Sequence, residues 1–117
     1  MDRRIEVVIS SMEAQPSKAW ETTELADLVN LSGSRLRHLF KQETGTTPAQ
    51  YLKAARLKRA ATLLRTTFMS IKEIAMSVGL TTASYFVREF RKSHGMTPTE
   101  FRNSSTRSTT RDHRKLK

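Results

Sequence analysis

Two stretches decide the fold: Phe40-Lys41-Gln42-Glu43-Thr44-Gly45-Thr46-Thr47-Pro48-Ala49-Gln50-Tyr51 and Phe90-Arg91-Lys92-Ser93-His94-Gly95-Met96-Thr97-Pro98-Thr99-Glu100-Phe101. They are one pattern written twice, 50 residues apart. In each, a helix runs into a glycine suited to a left-handed C-terminal position. A new helix then opens on Thr-Pro, with Gln or Glu three residues after the threonine. That is a capping box with proline at the first helical position. Upstream, Glu24-Leu25-Ala26 matches Glu73-Ile74-Ala75, and Val29-Asn30-Leu31 matches Val78-Gly79-Leu80, now at offset 49. One residue is therefore inserted in the second copy, at the turn between its paired helices. Each copy reads as a short helix, a tight turn and a longer helix, the helix-turn-helix arrangement.

Outward from these anchors the rest of the chain also reads as helix. Ile5, Val8, Ile9 and Met12 recur at helical spacing and predict a first helix, closed by Gln15-Pro16-Ser17. A second runs from about Thr23 to Val29. Glu21 is a poor cap for it and Thr22 a better one; Trp20 and Leu25 can staple its start, which makes Trp20 a core residue. The third runs from the Ser32 cap to Gly45. The fourth opens at Thr47-Pro48 and continues to about Leu64. Its leucines form two stripes, Leu57/Leu64 and Leu52/Leu63, roughly 120° apart, as expected of a helix between two packing partners. The fifth carries a Ser70–Glu73 capping box and a Met69–Ile74 staple and ends near Gly79. The sixth spans about Thr82 to Ser93, and a short seventh follows Thr97-Pro98, with a Met96–Phe101 staple. The five methionines read as core filling. The predicted fold is all-α: seven helices forming two helix-turn-helix subdomains joined by a central linker helix. Residues 1–102 form the domain, with helix pairs at about 22–45 and 70–95, the linker helix at about 47–65 and the final short helix at about 97–102. Residues 103–117 hold five cations, one anion and a single apolar residue, Leu116, and predict a disordered basic tail.

With 117 residues there is room for one modest core and no large enzyme cavity. The absence of cysteine excludes disulfides, thiolate zinc sites and cysteine nucleophiles. His38, His94 and His113 are too scattered for a metal cluster, and no cofactor is expected. There is no paired-carboxylate site and no Ser/His/Asp arrangement with a plausible pocket, so the reading is not an enzyme. No apolar run approaches the roughly 18 residues of a membrane span; the expected compartment is the cytoplasm, with no membrane partner. The formal net charge is +10, and it is uneven. Residues 1–22 hold three cations and four anions, whereas residues 23–102 hold 13 cations and six anions, with no acid between Glu43 and Glu73. A long stretch of one sign repels itself, which points to an external polyanion, nucleic acid before an anionic membrane. Single-stranded RNA fits poorly, because aromatics are only 7% of the chain and fall at inner positions.

The outward faces of the longer helices define the candidate site. In the third helix Leu36, Leu39 and Phe40 point inward, leaving Ser34, Arg37, His38 and Lys41 on another face. In the sixth, Phe86 and Phe90 are inner and Ser84, Val87, Arg88 and Arg91 take the equivalent outer positions, again at offset 50. Small residues near a helix start allow close approach to a major groove. Arginine suits guanine O6 and N7, a valine can touch a thymine methyl, and flanking cations meet phosphate. Arg88 is the strongest base reader, then Arg37; His38 either donates to base or phosphate or is simply exposed. Tyr85 is divided between core edge and phosphate donor, Arg56 between a structural contact and DNA. Lys58 and Arg65 read as a solvated face.

These residues resemble the tandem helix-turn-helix DNA-binding domain of the AraC/XylS family of bacterial transcription regulators. The match covers about residues 5–102. It is carried by Leu25-Ala26, the run Leu31 to Lys41, Gly45, Pro48, Tyr51-Leu52, Arg56-Leu57, Ala60, Leu63-Leu64, Ile71, Ile74-Ala75, Val78-Gly79-Leu80, Tyr85-Phe86, Arg88, Phe90, Gly95, Thr97-Pro98 and Phe101-Arg102. The resemblance implies two recognition helices set into successive major grooves. Base contacts would come from Ser34, Arg37 and His38 in the first and Thr82, Ala83, Ser84, Val87 and Arg88 in the second. Phosphate contacts are expected from Ser32, Arg35, Lys41, Tyr85, Arg91 and Lys92. The implied function is sequence-specific transcription regulation, activation favoured over repression, with RNA polymerase as a further partner. The alternative is an interaction module that binds DNA weakly or non-specifically and acts through RNA polymerase or another regulator. Two unlike heads in one chain predict a monomer on one asymmetric site. The 17 residues from Pro48 to Leu64 would span roughly 25 Å, against a groove repeat of about 34 Å. Two positions depart from the family pattern. Glu89 stands where small or apolar residues are usual, and where the first copy has Leu39; it reads as a surface salt bridge to Arg88, Arg91 or Lys92, or, if partly buried, as an acid that needs a partner. Ala83 gives the second head less hydrogen-bonding capacity. Many family members also carry an effector-binding or dimerisation domain, so the chain reads either as a small stand-alone regulator or as the DNA-binding part of a longer one.

Overall fold

The computed structural model describes residues 1–105. Among the described residues there are seven helices and no strand: α1 Arg3–Ala14, α2 Thr22–Leu28, α3 Gly33–Thr44, α4 Pro48–Thr66, α5 Ile71–Ser77, α6 Ala83–His94, and α7 at 98–105. The chain divides into two compact units, Met1–Arg56 and a second that begins at Leu57, so α4 contributes to both.

In the first unit, Asp2 caps α1 by accepting the Arg4 N–H at 2.8 Å. The predicted stripe is inward: Ile5, Val8 and Met12 are fully buried and Ile9 packs beside them. The cap of α2 is Glu21, with no side-chain bond, and Thr22 is already helical. The chain then turns through Asn30, whose φ of 58° is left-handed, and Leu31 N–H donates to the Ala26 carbonyl at 3.0 Å. Ser32 Oγ accepts the Arg35 N–H at 3.1 Å to start α3, which ends on Gly45 at φ 80°. Leu25, Ala26, Leu36, Phe40 and Leu52 complete this core, and Trp20 packs on it while its indole N–H donates to the Gln15 carbonyl at 2.9 Å.

The second unit repeats the plan. Ser70 and Glu73 cap α5 reciprocally, at 2.8 and 3.0 Å. Gly79 takes the left-handed turn position at φ 87°, and Leu80 N–H donates to the Ala75 carbonyl at 2.9 Å. Thr82 Oγ1 accepts the Tyr85 N–H at 3.0 Å, and α6 ends on Gly95 at φ 75°. The inserted residue is Thr81, which lies between Leu80 and this cap. The core is Leu57, Ala60, Ala61, Leu64, Ile74, Ala75, Val78, Leu80, Phe86 and Phe90. The repeat extends to ring geometry. Phe40 meets Tyr51 edge-on at 5.5 Å and 79°, and Phe90 meets Phe101 at 5.3 Å and 75°. The copies diverge at the rim. Tyr51 donates its hydroxyl to Glu13 Oε1 at 2.9 Å, and burial together with that carboxylate pushes its phenol up. Phe101 has no hydroxyl, and the Arg65 guanidinium lies 5.9 Å from its ring centre instead.

Three expectations are corrected. Leu63 packs against the second core with Leu57 and Leu64, while Leu52 belongs to the first. The apolar surface of α4 changes partner along its length, not around its circumference, and residue periodicity alone does not separate the two. Helix α7 continues through residue 105, into the segment read as tail. Asn103-Ser104-Ser105 contains no Gly or Pro to stop it, and Arg102 anchors it through Nε to the Leu64 carbonyl at 3.0 Å and Nη2 to Thr67 at 3.1 Å. The remaining tail, 106–117, lies outside the described residues. Of the methionines, Met12 is buried and Met69 packs on the second core, but Met1 and Met76 are 68% and 67% exposed.

Candidate nucleic-acid interface

Burial of Leu36 and Phe40 in α3 rotates Ser34, Arg35, Arg37, His38 and Lys41 to the surface, and all five are exposed. Burial of Phe86 and Phe90 does the same for Ser84, Arg88, Arg91 and Lys92 in α6, with Ala83, Tyr85 and Val87 half-buried. Ser32 and Thr82 occupy identical cap positions and are exposed. Each hydroxyl oxygen accepts a backbone N–H, and its O–H proton can still be donated outward.

On the first unit the predicted residues gather around His38. Arg37, His38 and Lys41 line one open depression with Gln42 and Thr47. Ser34, Arg35 and His38 line a second with Arg4 and Gln42. The Arg37 guanidinium lies back toward the start of α3: a Cβ built on Gly33 falls 3.7 Å from its Nη1. On the second unit, Ala83, Ser84, Val87, Arg88, Arg91 and Lys92 line one depression. Tyr85 packs against the second core and holds its ring 5.5 Å from the Arg88 guanidinium carbon. Thr82, at the cap, stands beside this surface and is not part of its lining.

Glu89 takes the buried reading, not the surface one. It is 7% exposed, and its Oε2 lies 3.5 Å from both Arg88 Nε and Lys92 Nζ. A carboxylate at that depth needs cations beside it. The helix puts residue 89 on the inward side, where the first copy has Leu39.

Sequence reasoning did not find Arg4, Gln42 or Thr47. Arg4 comes from α1, and only the packing of α1 on α3 brings it beside His38. Asp2 grips it at Nη2 (2.9 Å) and Nε (3.2 Å), and the Asp2 N–H donates to the Glu43 carboxylate. The Arg4 guanidinium holds the Asp2 carboxyl below the usual range. The open reading of Arg56 is resolved toward structure: Nε and Nη2 donate to the carbonyls of Pro16 and Lys18, both at 2.7 Å, in the α1–α2 link. Among the described residues no group of three His, Asp or Glu side chains suits a metal ion, and no helix is long and apolar enough to cross a membrane.

The family model of a helix-turn-helix domain matches residues 25–104. The HTH-type transcriptional activator RhaR of Mannheimia succiniciproducens is 38% identical over 100 residues, 86% of this chain and 36% of that protein. The arabinose operon regulatory protein of Escherichia coli is 39% identical over 83 residues, 71% of this chain and 28% of that protein. A transcriptional regulator structure from Chromobacterium violaceum, described as AraC-type DNA-binding domain-containing, aligns with a TM-score of 0.84 at 33% identity. The alignment covers 88% of this chain and 92% of that one. The chain thus spans about a third of the length of the curated relatives it matches.

Proposed function

Since this chain belongs to the AraC-type family of helix-turn-helix domains, we propose that it is a sequence-specific, double-stranded DNA-binding regulator of transcription. The observation that carries the reading is the pair of matched outward faces on α3 and α6, each following the same cap and ending on the same left-handed glycine. Each helix enters a major groove, the two grooves being successive. Ser34, Ala83 and Ser84 permit close approach. Arg37 and Arg88 donate to guanine edges, Val87 meets a thymine methyl, and His38 and Thr82 supply further base contacts. Ser32, Arg35, Lys41, Tyr85, Arg91 and Lys92 engage phosphate, which fixes register without reading sequence. The regulator works in the cytoplasm and needs no cofactor. It acts as an activator, as the relative RhaR is named, with RNA polymerase as a further partner.

The two faces differ: Ser34, Arg37, His38 and Lys41 against Ser84, Val87, Arg88 and Arg91. Two unlike heads read two unlike half-sites, so one monomer occupies one asymmetric site of about 20 base pairs, with bending of the duplex. Selection from a random duplex pool, followed by salt titration of the winner, tests this. Expected are a defined asymmetric sequence, a 1:1 complex by native mass measurement, and loss of joint engagement when about five base pairs, half a helical turn, separate the half-sites. An obligate two-protein complex on a symmetric site would overturn the monomer reading. The buried Glu89 in α6 weakens phosphate contact and favours one second reading, an interaction module with weak DNA contact; salt-sensitive binding without sequence preference would favour that reading over the first.

A further inference from the structure

We infer that Glu89 is a positioning residue for base selectivity in the second head, acting through Arg88; the inference rests on the DNA-binding reading above. Three observations converge on Arg88. Its side chain is 64% exposed, on the face with Ser84 and Val87. Its guanidinium lies over the Tyr85 ring at 5.5 Å. Its Nε lies 3.5 Å from Glu89 Oε2, a carboxylate 8% exposed. A buried carboxylate has little rotamer freedom, and its ion pair with Nε biases the guanidinium toward one orientation. The edge formed by Nη1 and Nη2 is the one that pairs with guanine O6 and N7, and it is not used in that ion pair.

The same carboxylate acts on charge. Arg88 and Lys92 share it, so part of the cationic field on this face is balanced from beneath. Non-specific DNA binding scales with the number of phosphates neutralised and loses most from such balancing. A bidentate guanine contact depends on geometry and loses least. One buried acid thus lowers affinity for random DNA while sharpening discrimination at one base pair. The first head has Leu39 at this position and lacks the device.

The test is a double-mutant cycle read on base discrimination. Affinities of the full chain are measured for the selected duplex, for the duplex altered at the base pair whose discrimination Arg88→Ala removes, and for random duplex. Glu89→Gln is expected to tighten random-duplex binding about threefold to tenfold and to cut discrimination at that base pair about tenfold. In the Arg88→Ala background, Glu89→Gln is expected to change discrimination no further. Glu89→Leu, which restores the first head's residue, serves as second variant should the glutamine protein melt early. Discrimination unchanged in Glu89→Gln, or lowered equally at base pairs of the selected duplex that Arg88→Ala leaves unaffected, overturns the inference while leaving the functional reading intact. A wild-type protein with no preference for any duplex overturns the functional reading and this inference together.

Discussion

Asn30 and Gly79 hold the same left-handed backbone position, one in each helix pair, at φ 58° and 87°. The bonds around them coincide too: Leu31 N–H reaches the Ala26 carbonyl at 3.0 Å, and Leu80 N–H reaches Ala75 at 2.9 Å. The turn therefore demands this conformation whichever residue occupies it. Asparagine tolerates it at some cost, and glycine at none from a Cβ. Asn30→Gly is expected to stabilise the protein by about 0.5 kcal/mol, and Gly79→Ala to destabilise it by about 1–2 kcal/mol. Urea unfolding checks both; a Gly79→Ala protein as stable as the wild type would mean that the turn can relax out of the left-handed region.

Arg56 and Arg102 each tie two backbone carbonyls, one pair in the α1–α2 link and one at the end of α4 and beyond. Removing either side chain strands those carbonyls, so Arg56→Ala and Arg102→Ala should each cost about 1.5–3 kcal/mol. Lysine lacks the planar fork and should recover only part of this. Far below the melting temperature, Arg56→Ala should bind DNA within about twofold of wild type. A larger loss would show that Arg56 touches DNA as well.

Acid should weaken the helix starts. The Ser70 backbone N–H donates to Glu73, and that of Thr97 to Glu100, which holds both carboxyls below the usual glutamate range. Arg4 lowers Asp2 in the same way. A depressed carboxyl contributes stability that is fully present above its unfolded value, about 4.3 for glutamate, and is lost as pH falls through the folded value. Thermal midpoints should therefore decline as pH is taken from about 5 toward 3. Replacing Glu73 and Glu100 together by glutamine should flatten that decline, and an equally steep profile in the double variant would count against the carboxylates as its source.

Arg37 and Arg88 are expected to read one base each. Arg37→Ala and Arg88→Ala should each cost about 1–3 kcal/mol on the selected duplex and relax a single position, in different half-sites. Equal losses on selected and random duplexes would make both of them phosphate contacts.

The local grammar of this chain was legible without coordinates. The Ser32 cap, the three capping boxes and the terminal glycines are short-range features. Each is set by backbone donors within four residues of a polar side chain, or by the absence of a Cβ, so residue order alone carries them. The outward set on α3 and α6 followed for the same reason, since a buried stripe of Leu and Phe dictates what faces away. What folding alone decided involves partners far apart in sequence. Arg4 stands beside His38 because α1 packs on α3. Arg56 and Arg102 turn to carbonyls 35 to 40 residues away. Leu63 and Leu52 lie on one stripe of one helix and enter different cores. Glu89 is buried where its charge also allowed a surface site. In each case the side chain's chemistry permits several roles, and selection among them depends on what packing places within reach, which helical periodicity does not encode.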